Sequence, residues 1–392
     1  MPKLTVAALL GLLLSTAPTW AREPFTIDLT VEGQTGSRSF TMVEDAVRSL
    51  STSGLQAITS TYTDVSPASV NLDLRGVRGF ASFTAGSPVL QVTIPVAGID
   101  RAFAGATREE IRRLFERFLQ GREGGDAANA LLRAGVRASP LDPVAGGPNS
   151  LMALFSSGDF NRSVLATALG EREGLGIGAR FGAFSAAGYN SQNLTLPLEY
   201  TRRLTDRDTL EVEVPLSYTD SSGAASYAGS LGLLYRRRVA QNWTVQASAR
   251  VGAAGSVDLG AGSGVWGVGL NSAYRIPLGE WRVTVANAVN LVSTFPVFVG
   301  AYRVDYDLTN VIFRNGIVVT RDLGIELAGY PLTGSAFAVD TRFTGSAVFA
   351  RSFQEFGVFV SAGREARAGF GLSLLTGGRG ISGVTVNTGV KF

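Results

Sequence analysis

Three glutamates, Glu199, Glu211 and Glu213, are placed by type and spacing to do chemistry. Glu211 and Glu213 stand two apart in an alternating run and so share one face of a strand, with Glu199 as a near neighbour on the preceding run. Carboxylates brought together serve acid–base work when their surroundings push their proton affinities apart. The same side chains also fit ion pairing, because Arg236, Arg250 and Arg275 fall on further alternating runs downstream. The composition favours pairing over catalysis. The chain has no histidine and no cysteine, which removes the usual general base, thiolate nucleophiles, disulfides, zinc fingers and iron–sulfur clusters. Lysine occurs only at Lys3 and Lys391, which removes Schiff-base and Walker-type lysine chemistry. No catalytic residue, cofactor or metal site is assigned, and the chain is expected not to be an enzyme.

Two weaker patterns do not change this. Gly262-Ser-Gly264-Val-Trp-Gly267 matches G-x-G-x-x-G, but it enters an alternating run rather than a helix, the reverse of the dinucleotide-binding context. Asp305, Asp307 and Asn310 offer oxygen ligands in a long loop, yet they lack the glycine and distal glutamate of a calcium loop and read as solvated acids. A net charge of +3 with scattered arginines lacks the clustered basic face of a nucleic-acid binder.

The elements that must position the glutamates lie in residues 175–392, where hydrophobicity alternates with a period of two. Leu194, Leu196, Leu198 and Tyr200 form one apolar face; Leu210, Val212, Val214, Leu216 and Tyr218 form the next. Trp243–Val251, Trp266–Tyr274 and Phe356–Ala362 repeat the pattern. Such runs exceed the roughly 5–6 residues of an ordinary strand and suit a tilted transmembrane strand of about 9–11. Tight polar turns are expected at Thr205–Asp208, Val239–Asn242, Leu278–Glu280, Thr320–Leu323 and Phe353–Glu355. Longer loops are expected at Gly188–Asn193, Asp220–Ala225, Val257–Ser263, Phe295–Asn310, Gly334–Asp340 and Arg367–Ser382. Five short turns with both ends on one edge make a 12-stranded antiparallel transmembrane β-barrel. Closure is obligatory, since an unpaired backbone group in lipid costs several kcal/mol. Tyr200, Tyr218, Trp243, Tyr274 and Trp281 sit at the ends of their runs, at headgroup level.

Upstream, residues 1–21 read as a secretory signal peptide: Lys3, an apolar core from Leu4 to Ser15, and a cleavage site near Ala21. Residues 22–148 read as a small α+β domain. Its Phe25–Val31 alternates as a strand, Met42–Leu50 is helix-like, and Ser69–Pro95 holds two or three strands. Its clearest helix runs from Thr107, with Glu110 completing a capping box, to Gly121; a second, shorter helix spans Gly125–Gly135. Residues 139–149 are rich in proline and glycine and read as a linker. Ser150–Leu169 is helix-prone and, at ~1.5 Å per residue, long enough to cross the ~30 Å hydrocarbon core inside a pore. The segment 149–174 is therefore a helical linker or plug, and the fold class is mainly β.

At the C-terminus, Val384, Val386, Thr388, Val390 and Phe392 alternate and end on an aromatic. This strand, with the helix-prone 150–169 and the alternating 175–392, resembles the translocator unit of autotransporters: an exported N-terminal passenger, a helix through the pore, and a 12-stranded barrel ending in an aromatic residue. The resemblance covers over half of the chain. It implies a bacterial outer-membrane location, lipid contact, a monomeric barrel, and Phe392 with Val390 as the signal read by the barrel-assembly machinery. It departs in residues 22–148, which are short and lack the usual β-helical repeats, leaving open whether they face the periplasm or the exterior. The function expected is secretion, display or anchoring of the chain's own N-terminal domain. A porin-like channel with a periplasmic domain and a surface adhesin are the alternatives.

Overall fold

The computed structural model describes residues 21–119, 125–299, 302–363 and 365–392. All of the expected signal peptide but Ala21, and the helix stop at Gly121, lie outside the described residues.

The N-terminal domain is a six-stranded antiparallel sheet in the order β2-β1-β3-β4-β5-β6. Its strands are β1 (Phe25–Val31), β2 (Gln34–Phe40), β3 (Ala68–Leu74), β4 (Val77–Phe83), β5 (Val89–Ile94) and β6 (Ile99–Ala104). Alternate residues build one apolar face: Phe25, Ile27, Leu29 and Val31 on β1, with Val70 and Leu72 on β3, are all buried. Helices α1 (Val43–Arg48), α2 (Thr52–Ile58), α3 (Arg108–Leu119) and α4 (Gly125–Ala138) accompany the sheet. At the start of α3, Thr107 Oγ1 accepts the Glu110 N–H at 3.2 Å, and Ile111, Phe115 and Phe118 are buried in the core. Strands β2 and β6 and helix α2 were not foreseen; their sequences are mostly polar on both faces or too short to show a period.

After α5 (Leu151–Leu169) come β7 (Gly174–Ala186), β8 (Tyr189–Arg203), β9 (Asp208–Ser221), β10 (Ala224–Ala240), β11 (Trp243–Ser256), β12 (Ala261–Leu278) and β13 (Trp281–Phe295). A small hairpin follows, β14 (Val297–Val299) with β15 (Tyr302–Val304). The last strands are β16 (Thr309–Leu327), β17 (Tyr330–Gly345), β18 (Ser352–Ala362), β19 (Ala368–Gly377) and β20 (Ser382–Lys391). Strands β7–β13 and β16–β20 pair antiparallel with their neighbours, and β20 pairs with β7 to close a barrel of 12 strands. The expected mainly β barrel with a small α+β domain and a helical segment is the observed fold. Its outward positions carry the exposed hydrophobics, among them Leu194, Leu196, Leu198, Leu231, Leu233, Val268, Leu270, Phe356 and Val358. A hydrocarbon surround removes the cost of exposing such a belt, and closure removes the unpaired strand edge.

Several turns fall elsewhere than expected. Thr320–Leu323 and Phe353–Glu355 lie inside β16 and β18, and the corresponding turns are at Ala328–Gly329 and 363–367. Gly334–Asp340 lies within β17, and most of Arg367–Ser382 is β19. Strand β16 continues past the apolar belt, where Arg282 pairs with Asp322 at 2.7 Å across the sheet, so a polar extension of a strand imitates a turn. Phe353 faces the lumen and interrupts the alternation of β18. Two expected loops are instead two-residue turns, Ala187-Gly188 and Ser222-Gly223, with φ of 51°, 82°, 52° and 88°. Positive φ at both central positions matches the twist of a hairpin and needs glycine at the second.

The Pro/Gly-rich 139–149 is not a loose linker. Leu141, Asp142, Val144 and Ala145 are buried, and the backbone is tied down by Ala350 N to Gly146 O at 2.8 Å and Leu151 N to Pro143 O at 2.9 Å. Composition signals irregular backbone; burial follows once neighbouring groups satisfy its amides.

Candidate functional site

Helix α5 occupies the barrel lumen and packs on β10–β13 and β16. Ser156, Asp159, Ser163 and Thr167 are buried along with Phe155, Phe160 and Val164, because a helix inside a barrel meets wall on most sides. Near its N-terminal end, Leu151, Met152 and Phe155 form an apolar collar with Val265, Val292 and Ile312 of the wall. Further along, Phe160 and Val164 pack on Ala273, Ala286 and Val318.

The sequence-expected glutamates converge on this helix. Asp159 accepts from Arg250 Nε and from Ser248 Oγ, each at 2.5 Å, and its carbonyl accepts from Gln246 Nε2 at 3.0 Å. Arg250 also reaches Glu213 at 2.6 Å. On the adjacent face of the helix, Arg162 pairs with Glu199, and lies 3.4 Å from Glu211 and 3.7 Å from Glu213. Arg236 pairs with Glu171 just beyond the helix and lies 3.5 Å from Glu211. Lys391 reaches Glu199 at 3.2 Å. Space for this network comes from missing side chains: a Cβ at Gly158 or Gly232 would stand 3.2 or 2.9 Å from the Arg250 guanidinium.

Glu199, Glu211, Glu213, Arg236 and Arg250 are thus brought together, whereas Arg275 is not. Arg275 lies toward the end of β12 beside the turn, 3.4 Å from Asn242 Oδ1, away from the helix. Asp159, Arg162 and Glu171 were missed as partners. Their signal was present: Ser156, Asp159 and Ser163, at helical spacing, interrupt the apolar residues of α5. A second ion group was missed as well, with Glu355 2.8 Å from Arg314 and 3.8 Å from Arg180, and the Arg314 guanidinium 5.3 Å over the Phe160 ring. An arrangement in which carboxylates are matched by nearby cations holds a helix in place. Opposite the packed side of α5, between it and the β7–β9 and β18–β20 wall, a chamber of about 340 Å³ remains, lined by apolar side chains as well as by Arg162 and the glutamates.

Val390 and Phe392 are exposed on the outer face at the closing seam. Val390 lies opposite Ile177, and the Phe392 N–H donates to Leu175 O at 2.8 Å. Asp305 and Asp307 lie in the loop before β16; Asn310 is buried within β16, its amide donating to Thr344 O and Ser346 O, so these residues do not form one site. Among the described residues no group of three acidic side chains is placed to share a metal ion. Gly262–Gly267 lies within β12.

The C-terminal end of α5 lies at the edge that carries the chain end, with Gly170 against Glu365 of the 363–367 turn. Its other end leads to the N-terminal domain, which is docked on the opposite edge. Val43 N donates to Asp258 O at 2.7 Å, Arg22 N to Gly188 O at 2.9 Å, and Arg379 Nη1 to Arg137 O at 2.8 Å. At the centre of this junction Asp142 accepts from Tyr306 Oη at 2.9 Å, from Arg75 Nη1 at 3.2 Å, and from the Val144 and Ala145 amides. Burial raises the Asp142 carboxyl above its ordinary value, opposed by Arg75 and the amides, and burial beside Asp142 pushes the Tyr306 hydroxyl well up.

No family profile and no curated protein matches this chain. Solved structures similar to it include the β-domain of the Bordetella autotransporter BrkA, at 17% identity over 56% of this chain and 98% of that one, with a TM-score of 0.45. The translocator domain of the autotransporter NalP from Neisseria meningitidis is 13% identical over 62% of this chain and 97% of its own, with a TM-score of 0.43. LpxR from Salmonella typhimurium is 12% identical over 55% of this chain and all of its own, with a TM-score of 0.38.

Proposed function

We propose that this chain is a non-enzymatic outer-membrane barrel of the autotransporter type that displays its own N-terminal domain and keeps it anchored. The observation that carries the reading is the path of the chain. It leaves the docked domain at one edge, runs through the closed lumen as α5, and enters β7 at the edge where β20 ends. Bacterial barrels keep their longer loops on the outer side, and here the longest connection, between β13 and β16, lies on the edge where the domain docks. With that orientation residues 22–149 lie outside the cell. Anchoring rather than release is supported by the buried ion pairs along α5 and by the Arg75–Asp142–Tyr306 contact, which together hold helix and domain to the barrel. Export through the signal peptide and insertion by the barrel-assembly machinery, through Phe392 and Val390, complete the scheme, in lipid and as a monomer.

Protease treatment of intact cells tests it. Residues 22–137 are expected to be cut before the outer membrane is permeabilised. Cutting only after permeabilisation makes the domain periplasmic and leaves the porin-like reading in its place.

A further inference from the structure

The structure assigns a lipid-binding cleft between the N-terminal domain and the barrel rim, which we propose takes the acyl chain of an outer-leaflet membrane lipid. The space is about 1800 Å³ and mainly apolar. Its floor is the sheet face around Leu72 and Leu74, and its walls are α1 at Val43, Val47 and Leu50 and α4 at Ala128 and Leu131. The loop Val257–Ala261 and the hairpin β14–β15 line the barrel side. Glu44, Glu116 and Asp258 also line it, against one cation among the described residues, Arg75, that is itself paired with Asp142, so an anionic headgroup is disfavoured inside and the tail enters alone.

Continuity with the lipid-facing surface identifies the occupant. Tyr218 and Tyr227, opposite each other on β9 and β10 with ring centroids 5.5 Å apart, face outward near the Ser222-Gly223 turn, where amphipathic rings mark the headgroup level. The cleft passes this pair and reaches Leu216 and Gly229, the next outward pair deeper along the same strands and therefore level with hydrocarbon. Gly229, Ala253 and Gly255 keep the outer wall low there. A lipid tail can thus pass from the membrane under the domain without crossing water, and its seating is favoured because it takes the apolar lining of the cleft out of water. The orientation proposed above enters only in naming the leaflet.

The test uses the full chain in phosphatidylcholine vesicles doped with a phosphatidylcholine that bears a diazirine at the end of one acyl chain. After irradiation, adducts are mapped by mass spectrometry. Adducts are expected on residues 43–50 and 128–132 as well as on the barrel belt. The variant Val47→Trp/Ala128→Trp crowds the cleft between α1 and α4 and is expected to lower the domain adducts about tenfold, while the belt adducts stay constant as an internal standard. Adducts confined to the belt, or domain adducts equal in the variant, overturn the proposal. So does labelling of the cleft by a soluble diazirine fatty acid where the vesicle lipid gives none. The readout does not depend on which side of a cell the domain faces, so its failure is separable from a failed shaving experiment.

Discussion

Asp159, in the middle of the lumen helix, accepts a hydrogen bond from Arg250 of the barrel wall at 2.5 Å, and both side chains are almost fully buried. They are 91 residues apart in the chain, so the pair reports directly on whether the helix is seated. Arg250 is held from its other side by Glu213, which ties three elements to one guanidinium.

Removing one partner of a buried pair strands the other. Asp159→Ala is expected to destabilise the seated helix by about 3 kcal/mol, while Asp159→Ala/Arg250→Met costs clearly less than the two single changes summed. Thermal unfolding in detergent micelles, followed as a double-mutant cycle, measures this. Strict additivity would show that the pair does not hold the helix.

Conductance reads the same element differently. With α5 in place, the barrel is expected to be nearly silent in planar bilayers, since the remaining chamber is about 340 Å³. Deleting residues 150–169 is expected to open it. High conductance of the intact chain would favour the channel reading.

Docking of the domain has a pH signature through Asp142. Its folded carboxyl is raised by burial above the unfolded value of about 4. The sign follows: a raised group contributes fully below its unfolded pKa and loses that contribution as pH climbs through its folded value. Docking is therefore expected to hold or tighten between pH 7 and pH 5, and Asp142→Asn to flatten that dependence. Near-UV dichroism of the docked domain against temperature at each pH is the measurement. Loosening in mild acid that disappears in Asp142→Asn would contradict it.

Phe392 separates recognition from stability. The residue is 65% exposed, and its backbone N–H donates to Leu175 O, a hydrogen bond that any residue but proline can make. Phe392→Ala is expected to cost refolding into micelles at most about 3 kcal/mol, the transfer of one aromatic side chain between water and hydrocarbon, and to leave the barrel folded. In cells it is expected to lower the amount of folded barrel in the outer membrane several-fold. Equal losses in both settings would make Phe392 structural rather than a signal.

The barrel was legible because lipid outside and a polar lumen inside impose a strict period of two, which Glu211, Glu213, Gln246 and Arg250 obey along with their apolar neighbours. Turn positions were less legible. Beyond the belt, as at Arg321 and Asp322, neither face needs to be apolar, so the alternation stops before the strand does. The charged site was half visible. Period two put the glutamates and arginines on the inner face, but it could not say that Arg275 lies too near the turn to join them.

By itself the sequence determined the class of fold, the sidedness of each barrel strand and the presence of a helix ahead of the barrel, because each follows from local spacing set against a known solvent. Only the tertiary structure decided that Asp159 meets Arg250, that residues 139–149 are buried rather than slack, and that the N-terminal domain docks on the rim opposite the chain end. These are contacts between segments far apart in the chain. Their energy depends on which groups closure brings within a few ångströms of one another, and no local period encodes that.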